Sequence, residues 1–414
     1  MISPTSTRRK QEAHATCNWI ETRILFTAVS ACSWLCNFHI GAHVFTSKRE
    51  IYIRCWVIYR DVTNCADYLF LRTSFTHYFC RITSVTFLIV ILDLPSILSG
   101  QRMGFIDPQE EHFSDGEKRK TGFDCRLNKG CETNTRDQFA PYNGIFNCDK
   151  EVFRSGYYDG TMFRFPLRTT PSKLSQTVYS VEKVTKLFDS FKADAHLALL
   201  FMRSLEAIEL YVREESEEQP RRVFRVKISD ETALLGRSKR KEFFAAVEPG
   251  SHMAEPVTVT YPITIETEAD GSRESHSFLT TSYCCGGQVS EQFERLLTDK
   301  DLSYLPSVGV AMALPSGANP RTPDVSGHVF CVLPLPVPPK SMTGLPVHVN
   351  GFFALSQNRR HIKTPNVDQE ERAKLTDKSL LWNCCLLEEA VPKAYATLIF
   401  QAIENKVSPE AIYK

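Results

Sequence analysis

The sequence has no Gly-x-x-x-x-Gly-Lys-Ser/Thr loop, no His-Glu-x-x-His pair, no Gly-x-Ser-x-Gly elbow and no paired Cys-x-x-Cys motifs. The local signatures of P-loop nucleotide hydrolysis, zinc peptidases and serine hydrolases are therefore missing. It also lacks an excess of charge: 49 Lys and Arg face 48 Asp and Glu. Chains that bind by neutralising many phosphates usually show a basic excess, so composition gives nucleic acid no support as a partner. No Asn-x-Ser/Thr acceptor occurs, and Cys284-Cys285 and Cys384-Cys385 are adjacent pairs that rarely bridge internally. The 14 cysteines of this large chain thus read as reduced thiols of a cytoplasmic protein, not as a secreted disulfide framework. No short-period repeat is visible.

Glycine and proline are scarce where the chain begins. Gly41 and Pro4 are the only ones before residue 93, a stretch that holds ten Lys/Arg against five Asp/Glu and three of the four tryptophans. Ordinary domains punctuate their elements with Gly and Pro. Residues 1–92 therefore read as an atypical extension, disordered or membrane-associated. Residues 24–45 are uncharged over twenty-two positions, about the length that spans a bilayer, yet carry two His, an Asn, two Ser and a Thr. Cys32, Cys36, His39 and His43 have metal-like spacing, but on one straight helix the outer two would stand roughly 16 Å apart along the axis. One helix cannot close a zinc site, so no metal is expected.

From residue 93 the texture is α+β. "QRMGFIDP" reads as a strand closed by Asp107-Pro108, residues 114–137 as a solvated loop, and "GTMFRFPLR" as a half-buried strand near a sheet boundary, with Pro166 at its end. Residues 172–204 read as a capped helix pair or one long helix, with Val184, Leu187, Phe188 and Phe191 at helical spacing. "AIELYVRE" and "RRVFRVKIS" are strands joined by an acidic turn, and "PVTVTYPITIETE" returns through "SHSFLTTSY" as a hairpin about "ADGS". "LPSGANPRTPD", residues 314–324, reads as a linker. Beyond it come the strands "HVFCVLPLP" and "GLPVHVNGFFAL" and a long carboxy-terminal helix restarted at Pro392.

Few residues invite chemistry. His348, between Val347 and Val349, and His196 read as structural or solvated. "GRSKRK" (236–241) reads as a solvated loop. In "QNRRHIK" the guanidiniums of Arg359 and Arg360 suit phosphate or carboxylate better than lysines would.

The stretches "DLPSILSGQRMGFIDP", "QFAPYNGIF", "GTMFRFPLRT", "LLFMRSLEAIELY", "HVFCVLPLP" and "TGLPVHVNGFFALSQNRR" together resemble the repeats of the sacsin family. Those repeats are related to the amino-terminal and middle regions of the ninety-kilodalton heat-shock chaperone. The resemblance runs in order from about residue 93 to 400. It implies the carboxy-terminal part of a Bergerat-type (GHKL) ATPase sheet over 93–171, followed by a middle-domain-like α/β sandwich over 172–414. Gly160 and Thr161 match the late strand beside the adenine, and Arg359 or Arg360 resembles the middle-region arginine that reaches the terminal phosphate.

The rest of that pocket has no match. The Asn-bearing helix and glycine-rich lid would precede residue 93, where neither is found, and Gln109 departs from the usual Asp-Pro-His. With no backbone amides to cradle a triphosphate, ATP is expected only if the pocket is completed from elsewhere. Half a sheet would also leave an open edge, so poor order is expected over 93–171. The resemblance thus implies a truncated repeat acting as a non-catalytic chaperone or co-chaperone module, with client proteins or other chaperones as partners. The alternatives are an ATPase completed by residues 1–92 or by a partner, and a membrane-tethered protein using residues 24–45.

Overall fold

A computed structural model describes residues 40–45, 49–57, 96–107, 110–127, 139–171, 176, 178, 180–203, 205–247, 253–299, 301–302, 304–315, 326–335, 341–356, 360–364 and 377–412. The fold is mixed α and β. It divides into two compact units: Met1–Ala193 with Ser204–Val226 and Glu268–Ser272, and Asp194–Arg203 with Lys227–Thr267 and Arg273–Lys414.

The first unit is built on a mixed sheet. Its strands are β1 (Ile40–Phe45), β2 (Arg49–Val57), β3 (Ser96–Gly100), β4 (Arg102–Ile106), β7 (Gly122–Arg126), β8 (Tyr158–Pro166), β9 (Leu205–Glu214) and most of β10 (Arg221–Ile228). They lie in the order β10-β9-β2-β1-β8-β3-β4-β7. A separate two-stranded ribbon joins β5 (Phe113–Asp115) to β6 (Lys118–Lys120). The solvated loop expected over 114–137 thus contains strands, with Gly116 at φ 62 supplying the ribbon's turn. Residues 128–138 lie outside the described residues.

The extension expected over 1–92 contributes directly to this sheet. β1 runs parallel to β8 with Ile40 beside Thr161, and β2 runs antiparallel to β9 with Ile51 beside Val212. Its remaining residues lie outside the described set. Residues 40–45 of the uncharged run are strand, not the end of a spanning helix. Among the described residues, no helix is long and apolar enough to cross a membrane. Over the described part of 93–171, β3, β4, β7 and β8 are hydrogen-bonded neighbours.

β8 was expected at a sheet boundary and is instead interior, flanked by β1 and β3. Its burial explains the sequence. Tyr158 and Met162 point into a cluster with Leu98, Met103, Phe105, Phe139, Tyr142 and Ile145, while Phe163 and Phe165 stack on the opposite face. A strand covered on both sides shows apolar residues at successive positions, not alternation. Pro166 is tolerated because it ends the strand. Asp107 closes β4 as expected, since its buried carboxylate accepts from the backbone N–H groups of Glu111, His112 and Phe113 at 3.2, 2.6 and 3.1 Å.

Helix α1 (Lys150–Ser155) is capped by Asp149, whose carboxylate accepts from Glu151 N, and ends at Gly156 with φ 68. Helix α2 (Val181–Ala198) is shorter than the run expected over 172–204, and Val184, Phe188 and Phe191 are buried on it.

In the second unit the sheet order is β15-β14-β16-β13-β12-β11. The strands are β11 (Val257–Ala269), β12 (Ser272–Cys284), β13 (Ser307–Leu314), β14 (Val329–Cys331), β15 (Leu333–Pro334) and β16 (Val347–Gly351). Asp270 and Gly271, at φ 48 and 79, make the expected tight hairpin between β11 and β12. Leu314 ends β13, and residues 316–324 of the expected linker lie outside the described residues. Both flanks of that segment belong to the second unit.

"GRSKRK" lies in helix α3 (Asp230–Ala246), not in a loop. After α4 (Glu291–Leu297), the carboxy-terminal helix comprises α5 (Lys378–Cys385), a π-turn at Leu386–Ala390 and α6 (Val391–Glu404), with Pro392 in the first turn of α6 as expected; α7 (Pro409–Ile412) follows. Trp382, Leu386, Ala390, Ala394, Leu398 and Ala402 form one buried stripe against β13 and β16, together with Val310, Val349 and Phe353.

Candidate functional site

Gly160 and Thr161 sit side by side on β8. Thr161 is 5% exposed, and its hydroxyl shares a 2.7 Å hydrogen bond with Ser99 on β3. A hydroxyl has one donor and two acceptor positions, so this bond commits one of them to a neighbouring strand. Behind Thr161, on the opposite face, Tyr142 shares a 2.7 Å bond with Ser96, and burial raises its phenol far above the ordinary value, with Arg164 opposing that rise.

Arg360 belongs to the second unit, in a loop closed by the bridge between Leu355 and Ile362. Ser356 N donates to His361 O at 3.0 Å and Lys363 N to Ala354 O at 2.9 Å. Arg359 lies outside the described residues, as do Cys32, Cys36 and His39, while His43 is on β1. The structure therefore brings together Gly160 and Thr161, and places Arg360 in a braced loop of its own unit.

Sequence reasoning missed a cluster of imidazoles in the second unit. His196 near the end of α2 stacks on His276 of β12 with ring centroids 4.3 Å apart, and His328 stacks on His348 of β16 at 5.8 Å. His348 is 2% exposed, lies edge-on to Phe278 and Phe330, and accepts at Nδ1 from His328 N at 3.2 Å. That bond requires Nδ1 to be unprotonated, which puts the proton of the neutral ring on Nε2, where no hydrogen-bond partner is found among the described residues. Burial and then the neighbouring His328 hold His348 down at about 3, and burial and then His276 hold His196 at about 4. Burial also lowers His328 against the pull of Asp194, whose own carboxyl is raised by burial. The signal was weak because these residues come from four separate segments. His196 and His348 each sit between apolar residues, His276 between two serines and His328 between Gly327 and Val329, so no shared local pattern marks them.

No group of three or more His, Cys, Asp or Glu among the described residues is arranged to hold a metal ion. Cys148, Cys284, Cys285 and Cys385 are free, and burial pushes each thiol up to about 12. Cys125 on β7 is disulfide-bonded, which corrects the expectation of reduced thiols at that position.

A family model described as "Sacsin domain" matches residues 85–225. The curated human protein Sacsin is 38% identical over 325 residues, which is 76% of this chain and 7% of that protein. The chain spans only that small share of its relative's length.

Proposed function

Because this chain contains a sacsin-like region, we propose that it is a non-catalytic chaperone or co-chaperone module that engages other proteins. One observation carries the reading. On α3, Leu234 is 71% exposed and Leu235 is 45% exposed, ahead of the basic residues Arg237, Lys239 and Lys241. Adjacent exposed leucines suit apolar segments, such as unfolded stretches of a client protein, while Lys239 beside them is already paired with Glu242 at 2.8 Å. The chemistry of the buried groups supports the non-catalytic part. Thiols near 12 are protonated at neutral pH and poor nucleophiles. Histidines held near 3 and 4 are far from the value suited to proton transfer near pH 7. The reading places the module in the cytoplasm with no bound cofactor. Its test is aggregation of a heat-unfolded reporter protein, which the chain suppresses equally with and without Mg-ATP.

A second reading, an ATP-binding chaperone domain, is favoured by one feature of the sheet. Strand β1, from the amino-terminal residues, pairs with β8 so that Ile40 lies beside Thr161. Under this reading Gly160 and Thr161 face the base. Radiolabelled ATP retained by the chain and lost in Thr161→Ala supports it; no retention at millimolar nucleotide removes it.

A further inference from the structure

Helix α6 is amphipathic on two sides. Ala394, Leu398 and Ala402 face the core, and a second apolar stripe faces outward: Ala396 is exposed, Phe400 is 60% exposed and Ile403 is 54% exposed. The stripe is bordered by Lys393 at one end and Glu404 at the other, both exposed, and neither makes an ion pair among the described residues. Eleven residues separate them, so they share one edge of the helix about 17 Å apart along its axis.

We propose that this stripe binds the same stripe of a second copy of the chain, with the two α6 helices antiparallel about a two-fold axis near Leu398 and Ile399. Three features of the helix fit that occupant. A two-fold relation there sets Phe400 at the level of the partner's Ala396, a large side chain against a small one, twice over. It sets Lys393 at the level of the partner's Glu404 on the same edge, again twice, so two opposite charges meet at each end. A parallel pairing would instead oppose Lys393 to Lys393 and Glu404 to Glu404, which is repulsive. Helix α6 carries no other charged side chain that would have to be desolvated.

Two helices of this length, about 21 Å each, bury less than the roughly 1,200 Å² of a typical stable complex, so the pairing is a weak, concentration-dependent dimer. It uses residues distinct from Leu234 and Leu235, so it stands or falls apart from the client-binding reading.

The test is sedimentation velocity of the chain over a range of concentrations, with circular dichroism as the check of folding. The expected result is a sedimentation coefficient that rises with concentration. The rise is lost in Phe400→Asp, reduced in Lys393→Glu and in Glu404→Lys, and restored when the last two are combined. A coefficient that does not change with concentration overturns the proposal, whether or not the stripe binds lipid vesicles or another protein. So does a double charge swap that fails to recover what the single swaps lose.

Discussion

Asn383 on α5 grips Ala354 from both sides: its Oδ1 accepts from Ala354 N at 2.8 Å and its Nδ2 donates to Ala354 O at 2.8 Å. The same amide donates to Lys363 O at 2.8 Å, so one buried side chain ties down both ends of the loop that carries Arg360. Asn383→Ala leaves Ala354 N and Lys363 O without this partner, while Ala354 O keeps its bond from Lys363 N at 2.9 Å. At the usual cost of an unmet buried group, it lowers stability by about 3 kcal/mol in urea denaturation. Asn383→Asp keeps one bond, loses two and buries a charge, and is at least as damaging.

The histidine cluster makes stability depend on pH. His196 and His348 titrate near 4 and near 3 in the folded chain, against about 6.5 when unfolded. In the window between those values the unfolded chain binds more protons. Their contribution is therefore complete above about pH 6.5 and is lost as pH falls, at up to about 1.4 kcal/mol per pH unit per ring. The raised Asp194 carboxyl works in the opposite sense, since its contribution is lost as pH rises through its folded value. Lys183, Lys186 and Lys192 are the cations of α2, with only Lys192 within a turn of His196, and Glu274 lies 3.5 Å from His276. The urea midpoint falls from about pH 7 to about pH 5, and His348→Gln flattens that fall. A midpoint unchanged over the range contradicts the account.

The strands and helices closest to local rules were legible. The β11–β12 hairpin announced itself by alternation and an Asp-Gly turn, and the restart of the last helix by Pro392. Interior placement of β8 was not legible, because its parallel neighbour β1 lies some 120 residues earlier and strand pairing leaves no local mark. α3 was misread from its cationic run, although Ser229 followed by Asp230 and Glu231 is a helix-start signal. Of the candidate site, the adjacency of Gly160 and Thr161 is trivial in the sequence. The Thr161–Ser99 bond and the four-segment imidazole cluster are long-range, and only the folded chain shows them.

The β8–β3 seam predicts graded losses. Thr161→Val keeps the shape and removes the hydroxyl bond to Ser99, which costs about 1 kcal/mol. Met162→Ala, at a fully buried position of the same strand, costs about 2 to 5 kcal/mol. Equal losses for the two in thermal or urea unfolding contradict this ordering.

Thiol reactivity follows burial. Cys284, Cys285, Cys385 and Cys148, each near 12, are almost wholly protonated at about pH 8. Iodoacetamide labels them in the native chain at least about 100-fold more slowly than in the urea-unfolded chain. Peptide mapping that finds comparable native and unfolded rates contradicts the burial.

The most direct measurement compares light scattering of a heat-unfolded reporter protein in the presence of the chain and of its Leu234→Ser/Leu235→Ser variant, without nucleotide. The prediction is suppression of aggregation by the chain and its loss in the variant, with sedimentation and circular dichroism unchanged. Equal suppression by both, or suppression that appears only when Mg-ATP is added, would contradict it.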